Sequence, residues 1–183
     1  MTFIDGENLT IRYQNMREDE ENKLNPSVIH QRNVLAYHPH LADTLSHGSN
    51  LLRVNYYTSL SGDDVAQTEL RGIITGLKWK TKTSEGHVVP RVFHKPKQSE
   101  RSRHVDIAIT MDILRHCYLG HVDAIWLVSG DKDYLPLIRE VMSMGKRVFV
   151  AALSSGLAPE LPLTADRFFN LDEWFFLGHK TTR

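Results

Sequence analysis

Cysteine is nearly absent from this sequence: Cys117 stands alone among 183 residues. A disulfide framework is therefore excluded within one chain, as is a zinc site built from several cysteines. Long apolar runs are missing too, so nothing reads as a bilayer span. The N-terminus shows no charged region leading into an apolar one, which speaks against a signal peptide and for a cytoplasmic protein. Net charge is also lacking, since 22 Lys and Arg balance 22 Asp and Glu, and no global basic field announces a nucleic-acid partner. Neither the Gly-x-x-x-x-Gly-Lys-Ser/Thr loop of nucleotide sites nor the Gly-x-Gly-x-x-Gly of dinucleotide sites occurs. Gly72 and Gly76, four apart on an expected helix, suggest close packing instead. The histidines at 38, 40 and 47 lack cysteine partners and helical spacing, and read as surface residues.

What is present is ordinary for a globular chain, with 41% hydrophobic and 24% charged residues, and 183 residues suit one domain with a real core. The charge is unevenly spread. Between Arg71 and Arg103 nine basic residues face only Glu85 and Glu100, while Glu18-Asp19-Glu20-Glu21 is an acidic run. A solvated surface is the plain reading of such runs, and a phosphate-binding patch the sharper one.

Strand-like and helix-like segments alternate, which predicts an α/β fold with a mostly parallel sheet covered on both faces. Strands are expected at Thr2 to Ile4, Leu51 to Tyr57, Val88 to His94, Ala124 to Val128 and Lys146 to Ala152. Pro90 argues that the third lies at an edge. Helices are expected from Asn25 to Tyr37, after Ser61-Gly62-Asp63-Asp64, from Val105 to about Tyr118 and from Tyr134 to Met144, where Gly145 ends the last. The third is apolar almost all round and predicts deep burial, with Cys117 in the core. Phe168 to Phe176 should pack back on the body.

Four aspartates fall where strands end or a helix opens: Asp5 after Met1-Thr2-Phe3-Ile4, Asp106 within Val105-Asp106-Ile107-Ala108-Ile109, and Asp131 and Asp133 after Ala124 to Gly130. Open α/β sheets place ligand sites outside the carboxyl ends of their strands. Carboxylates gathered there repel one another unless a cation lies between them, and a hard divalent ion prefers oxygen ligands. Singly, each aspartate also reads as a helix cap or turn residue. Asp106 stands out, because an ionised carboxylate among apolar neighbours needs a partner. Asp112 lies six residues on, roughly 120° around the helix at ~100° per residue. It is a lesser candidate, better read as paired with a basic residue.

These residues carry a family resemblance. Phe3-Ile4-Asp5-Gly6-Glu7-Asn8, Val105 to Asp112, and Leu127-Val128-Ser129-Gly130-Asp131-Lys132-Asp133-Tyr134 resemble the NYN domains, relatives of the PIN and flap-endonuclease nucleases. Leu161 with Ala165-Asp166-Arg167-Phe168 is similar to the family's closing motif. The resemblance runs from Met1 to about Leu171. It implies a three-layer αβα, Rossmann-like PIN-type fold of about five strands in the order 3-2-1-4-5. It also implies Mg²⁺- or Mn²⁺-dependent cleavage of RNA. Asp5, Asp106, Asp131 and Asp133 fall on the family's acidic positions, Asn8 on the polar position after the first strand, and Ser129 on the small hydroxyl residue. Where the family often has Lys-Gly before the Val-Asp, this chain has Arg103-His104. Residues 1–183 then form one NYN/PIN-like domain, with a lid, insertion or partner surface at 10–50 and an aromatic C-terminal segment at 167–177.

In this reading the four aspartates are catalytic and hold Mg²⁺ or Mn²⁺, with Asp5 and Asp131 as direct ligands. One or two ions held there stabilise charge on phosphorus and activate a water, two sitting ~3.5–4 Å apart. Asn8 and Ser129 orient the scissile phosphate, and Lys95, Lys97, Arg101 and Arg103 guide the RNA backbone toward Asp106. Tyr56, Tyr57, Trp79 and Tyr134 are available to stack bases if exposed. A haloacid-dehalogenase-type phosphatase wants Asp-x-Asp after the first strand, but Glu7 stands at the second position. The alternative with more support is a non-catalytic domain of the same fold that binds RNA or a protein, including a second copy of itself.

Overall fold

Strand β1, Thr2–Asp5, is buried along its whole length, as a strand in the middle of a sheet covered on both faces must be. It pairs in parallel with β5, Val54–Leu60, on one side and β8, Ala124–Val128, on the other. The computed structural model describes residues 1–19, 22–39, 41–42, 51–95 and 103–178. Its main sheet has seven strands in the order β10-β9-β8-β1-β5-β7-β6. The strands expected from the sequence are β1, β5, β7 (Glu85–His94), β8 and β9 (Arg147–Ala152), in the expected 3-2-1-4-5 order. Two short edge strands extend it. Lys78–Lys80, β6, is the single antiparallel member, and Arg167–Asn170, β10, pairs with β9. Three or four residues are too few to show a hydrophobic period.

Successive side chains of β1 enter opposite cores. Ile4 joins Leu9 and Tyr13 of α1 (Gly6–Arg17) and Leu70 and Ile74 of α2 (Asp64–Gly76). Phe3 joins Val105, Ile109, Ile113 and Cys117 of α3 (Arg103–Tyr118), with Leu137, Ile138 and Val141 of α4 (Leu135–Ser143). Those residues of α3 recur every four positions on one face. Its other side carries Ile107, Met111 and Tyr118, which are 60%, 54% and 70% exposed. The helix is thus one-sided rather than buried all round: its exposed side carries these apolar residues beside His104 and Arg115. No helix among the described residues is long and apolar enough to cross a membrane.

The helix expected from Asn25 to Tyr37 is instead a small hairpin of β3, Ile29–Gln31, and β4, Leu35–Tyr37. Asn33 turns it at φ 60°, a left-handed conformation that asparagine tolerates better than most residues. Gln14 of α1 holds the turn, donating to Asn33 Oδ1 at 2.9 Å and accepting from its backbone N–H at 2.6 Å. β4 lies outside the main sheet, yet its polar backbone is satisfied: the Tyr56 hydroxyl bonds both the N–H and the carbonyl of Ala36 (3.1 and 3.2 Å), and Thr58 Oγ1 donates to the Val34 carbonyl. These side chains from distant sequence override the local helix pattern. Pro90 also needs a correction. β7 is not the outermost strand, but β6 pairs only with residues 85–87, so the stretch carrying Pro90 has an open side.

The C-terminal segment does pack back. Phe175 and Phe176 are fully buried and lie 5.5 and 5.4 Å, ring to ring, from Tyr13. Phe176–Leu177 pairs with Lys23–Leu24.

Close approach explains the Asp5-Gly6 step. A Cβ on Gly6 would overlap the Tyr56 ring and come within 2.7 Å of the Tyr57 carbonyl oxygen. Helix α1 leaves β1 so tightly over β5 that no side chain fits. Gly6→Ala should therefore destabilise the fold by about 1–3 kcal/mol, the range for overpacking a well-filled core. Urea unfolding measures this, and an unchanged midpoint would show that α1 can lift from β5 at no cost.

Candidate active site

Asp5 ends β1 and caps α1, its Oδ1 accepting the Asn8 N–H at 3.0 Å. β8 ends beside it, and Ser129 Oγ donates to Asp5 Oδ2 at 3.1 Å. Asn8 returns the connection through its Oδ1, which accepts the Gly130 N–H at 3.2 Å. The ends of the two central strands are thus cross-tied by side chains from each.

After Gly130 the chain enters a 3₁₀ turn, Lys132–Tyr134, capped by Asp131, whose Oδ1 accepts the Asp133 N–H at 3.0 Å. The Asp131 N–H itself lies 3.3 Å from Ser129 Oγ. The turn drives Tyr134 inward, where it is 2% exposed. Its hydroxyl sits between two carboxylates, 3.3 Å from Asp5 Oδ2 and 3.1 Å from Asp106 Oδ1 in the first turn of α3.

A phenol has one proton, so Tyr134 can donate to one carboxylate at a time. The other is left without that donor, a deficit that a cation would make good. Burial pushes the Asp5 carboxyl up to about 6, with the charges of Asp106 and Glu7 acting the same way. The Asn8 N–H and Ser129 hydroxyl oppose the shift without cancelling it. Burial, then the two flanking carboxylates, also hold the Tyr134 phenol far above its ordinary value, so it stays a donor.

Beside this pair opens a cleft of about 150 Å³ lined by Asp5, Glu7, Asn8, Ile11, Arg12 and Asp106. A second, of about 190 Å³, lies across Asp106 and is lined by Ile107, Thr110, Met111, Asp133 and Tyr134. The structure therefore brings Asp5 and Asp106 together around one hydroxyl, links Asp131 to them through Ser129, and leaves Asp133 exposed at the rim. Asp112 is elsewhere, accepting from Tyr57 at 2.9 Å and pairing with Arg91 and Arg115. Lys95 pairs with Glu7 at 3.7 Å, and Glu7 also accepts the Ser59 hydroxyl. Lys97 and Arg101 lie outside the described residues, and only the backbone of Arg103 is described.

The aromatic stackers need correction, because Tyr56, Tyr57, Trp79 and Tyr134 are all buried and offer no face to a base. Tyr134 serves instead as the bridge between carboxylates. Its position directly after Asp133 was the available signal. Glu7, Ile11 and Arg12 also line the first cleft without having been singled out as site residues from the sequence; nothing in their spacing sets them apart from ordinary helix surface.

Among the described residues no group of three or more His, Cys, Asp or Glu side chains is gathered to hold a metal ion. The pair that does meet, Asp5 and Asp106, presents only oxygen. Mg²⁺ commonly takes one or two carboxylates and keeps water in its remaining positions. A hard divalent ion fits these residues on that basis.

Comparison with known proteins places the chain. The NYN domain model matches residues 1–172. An uncharacterized protein of Methanocaldococcus jannaschii is 26% identical over 144 residues, covering 77% of this chain and 59% of that protein. The chain thus spans about three fifths of the length of that relative. A crystal structure of a protein of unknown function from Vibrio parahaemolyticus is similar in fold, with a TM-score of 0.64 and 20% identity over 96% of this chain and 94% of that one.

The raised Asp5 carboxyl has a consequence for stability. The folded state binds this proton more tightly than the unfolded chain, so folding stability should fall as pH rises from about 4 through about 6 and level off above. Asp5→Asn removes the ionisation and keeps one oxygen for the Asn8 N–H, while its amide nitrogen can only donate, so the Ser129 and Tyr134 hydroxyls must turn to accept from it. It should stabilise the protein at pH 7.5 by about 1–3 kcal/mol, with the gain shrinking as pH falls through about 6 and gone by about pH 4. Denaturant unfolding across pH checks this, and equal stability at pH 7.5 would mean that Asp5 ionises freely.

Proposed function

The chain belongs to the NYN domain family, and from that premise we propose that it is a ribonuclease hydrolysing RNA phosphodiester bonds with Mg²⁺ or Mn²⁺. The observation that carries this reading is the pair of carboxylates, Asp5 and Asp106, facing each other across a single hydroxyl proton beside an open cleft. Such a pair is short of positive charge. A divalent ion would supply that charge, polarise the scissile phosphate and lower the pKa of an attacking water.

Asp5 and Asp106 would hold the ion directly. Asp131 shapes the turn that delivers Tyr134, and with Asp133 it would reach the metal through water. In this reading Asp131 acts from the turn that it caps through Oδ1, rather than as the direct ligand expected from the sequence. Asn8 and Ser129 hold the strand ends in register, and Ser129 keeps the Asp5 carboxylate oriented. Tyr134, locked as a donor, fixes the spacing of the two acids. The exposed Ile107 and Met111 beside Asp106 would give a nucleotide base an apolar surface to lie against.

One observation favours a second reading, a regulatory binder of RNA or protein. Of the basic residues preceding α3, Lys80, Arg91 and Lys95 are each paired with an acid, which weakens the phosphate-binding patch.

Cleavage of end-labelled single-stranded and structured RNAs, with Mg²⁺, Mn²⁺ or EDTA, separates the two. The nuclease reading expects metal-dependent products that fall by about 100-fold or more in Asp106→Asn, and similarly in Asp131→Asn, the loss typical of removing one charge-stabilising group. Binding without cutting by wild type and variants alike, in every metal, would establish the binder.

A further inference from the structure

Arg12 occupies an unusual position for a cation. It lines the same cleft as Asp5, Glu7 and Asp106, yet among the described residues it forms an ion pair with none of them. Its Nε is enclosed and has no hydrogen-bond partner. The nearby acids are already engaged: Asp5 by Asn8, Ser129 and Tyr134, Asp106 by Tyr134, and Glu7 by Ser59 and Lys95. A donor taken from water without compensation is costly, and a guanidinium cannot shed its proton to escape.

The side chain is also deliberately seated. Asn8 and Arg12 are four residues apart on α1 and so share a face. The guanidinium lies against the backbone of Gly156, where a Cβ would overlap Cζ, Nη1 and Nε together. Gly156 has φ 63° and sits in the turn after β9 that is bonded to the site through Ala158 N–H and the Gly130 carbonyl (3.0 Å). One face of the guanidinium is thus covered by backbone.

We propose that Arg12 is a phosphate-binding residue of the cleft, gripping a backbone phosphate of single-stranded RNA opposite the Asp5–Asp106 pair. This rests on the nuclease reading for the identity of the ligand. A planar fork matches two phosphate oxygens, where a lysine offers only a point charge. Its positive charge is permanent, so substrate is held beside two carboxylates that would otherwise repel it. Gly156 is a positioning residue that keeps the fork in place.

The test is binding of a fluorescein-labelled oligouridylate, with Ca²⁺ replacing Mg²⁺, as a function of NaCl concentration. Arg12→Ala should weaken binding by about tenfold and lower the slope of log K against log salt by about 0.7, the single-strand value for one phosphate contact. Arg12→Lys should keep the slope while losing part of the affinity. Gly156→Ala should weaken binding with the charge retained. Thermal melts report folding, and if Arg12→Ala does not fold, Arg12→Lys decides: full affinity there overturns the fork. Unchanged affinity and slope in folded Arg12→Ala overturn the proposal. A wild type that still cuts RNA in that case keeps the nuclease reading intact. A wild type that neither binds nor cuts RNA, but binds tripolyphosphate in an Arg12-dependent way, removes that reading and leaves the anion site.

Discussion

A carboxylate held almost out of water at the end of the central strand organises everything around it. Asp5 caps α1, receives Ser129 from β8, and shares Tyr134 with Asp106 on α3. Both helix layers and both central strands therefore meet at one side chain. Burial would normally neutralise such a group, and its raised pKa shows the pressure to do so. The surrounding N–H and O–H donors hold it in one orientation all the same. A fold selected only for stability has little reason to keep an acid there.

Tyr134 is the counterpart of that acid. Its hydroxyl is flanked by two acceptors and has one proton to give. The site is consequently unbalanced in two places: the two acids share one donor proton, and along α1 Arg12 Nε has no hydrogen-bond partner among the described residues. A phosphate accompanied by a divalent cation would answer both. The basic residues before α3 contribute less than their number suggests, since several are neutralised by local acids.

The parts of the fold that were legible in the sequence are those whose pattern is local and strong. β8 is a continuous apolar run and appears with the expected bounds. The Ser-Gly-Asp-x-Asp stretch following it, with Asp-Gly-x-Asn at the start, marked the sheet edge where the acids meet. The hairpin at residues 29–37 was misread because Val28, Ile29, Val34 and Leu35 mimic a helical spacing. Its true form depends on Gln14, Tyr56 and Thr58, which lie far away in sequence. The burial of α3 was overread for a related reason: an apolar residue on a helix does not say whether another element covers it.

The sequence by itself marked the strands and the acids at their ends, because apolar runs and the residues that follow them are local signals, and its resemblance to the NYN domains implied the strand order. Only the tertiary structure decided which polar groups the acids meet. A motif shows that Asp131 and Asp133 stand at a strand end; the turn shows Asp131 engaged as a cap and Tyr134 swung between Asp5 and Asp106. Likewise Arg12 is one more helix arginine in sequence, and only the packed structure shows it lining the cleft with no ion pair to Asp5, Glu7 or Asp106 among the described residues. Partner choice among close polar groups is settled by sub-ångström geometry, and that information appears when the layers pack.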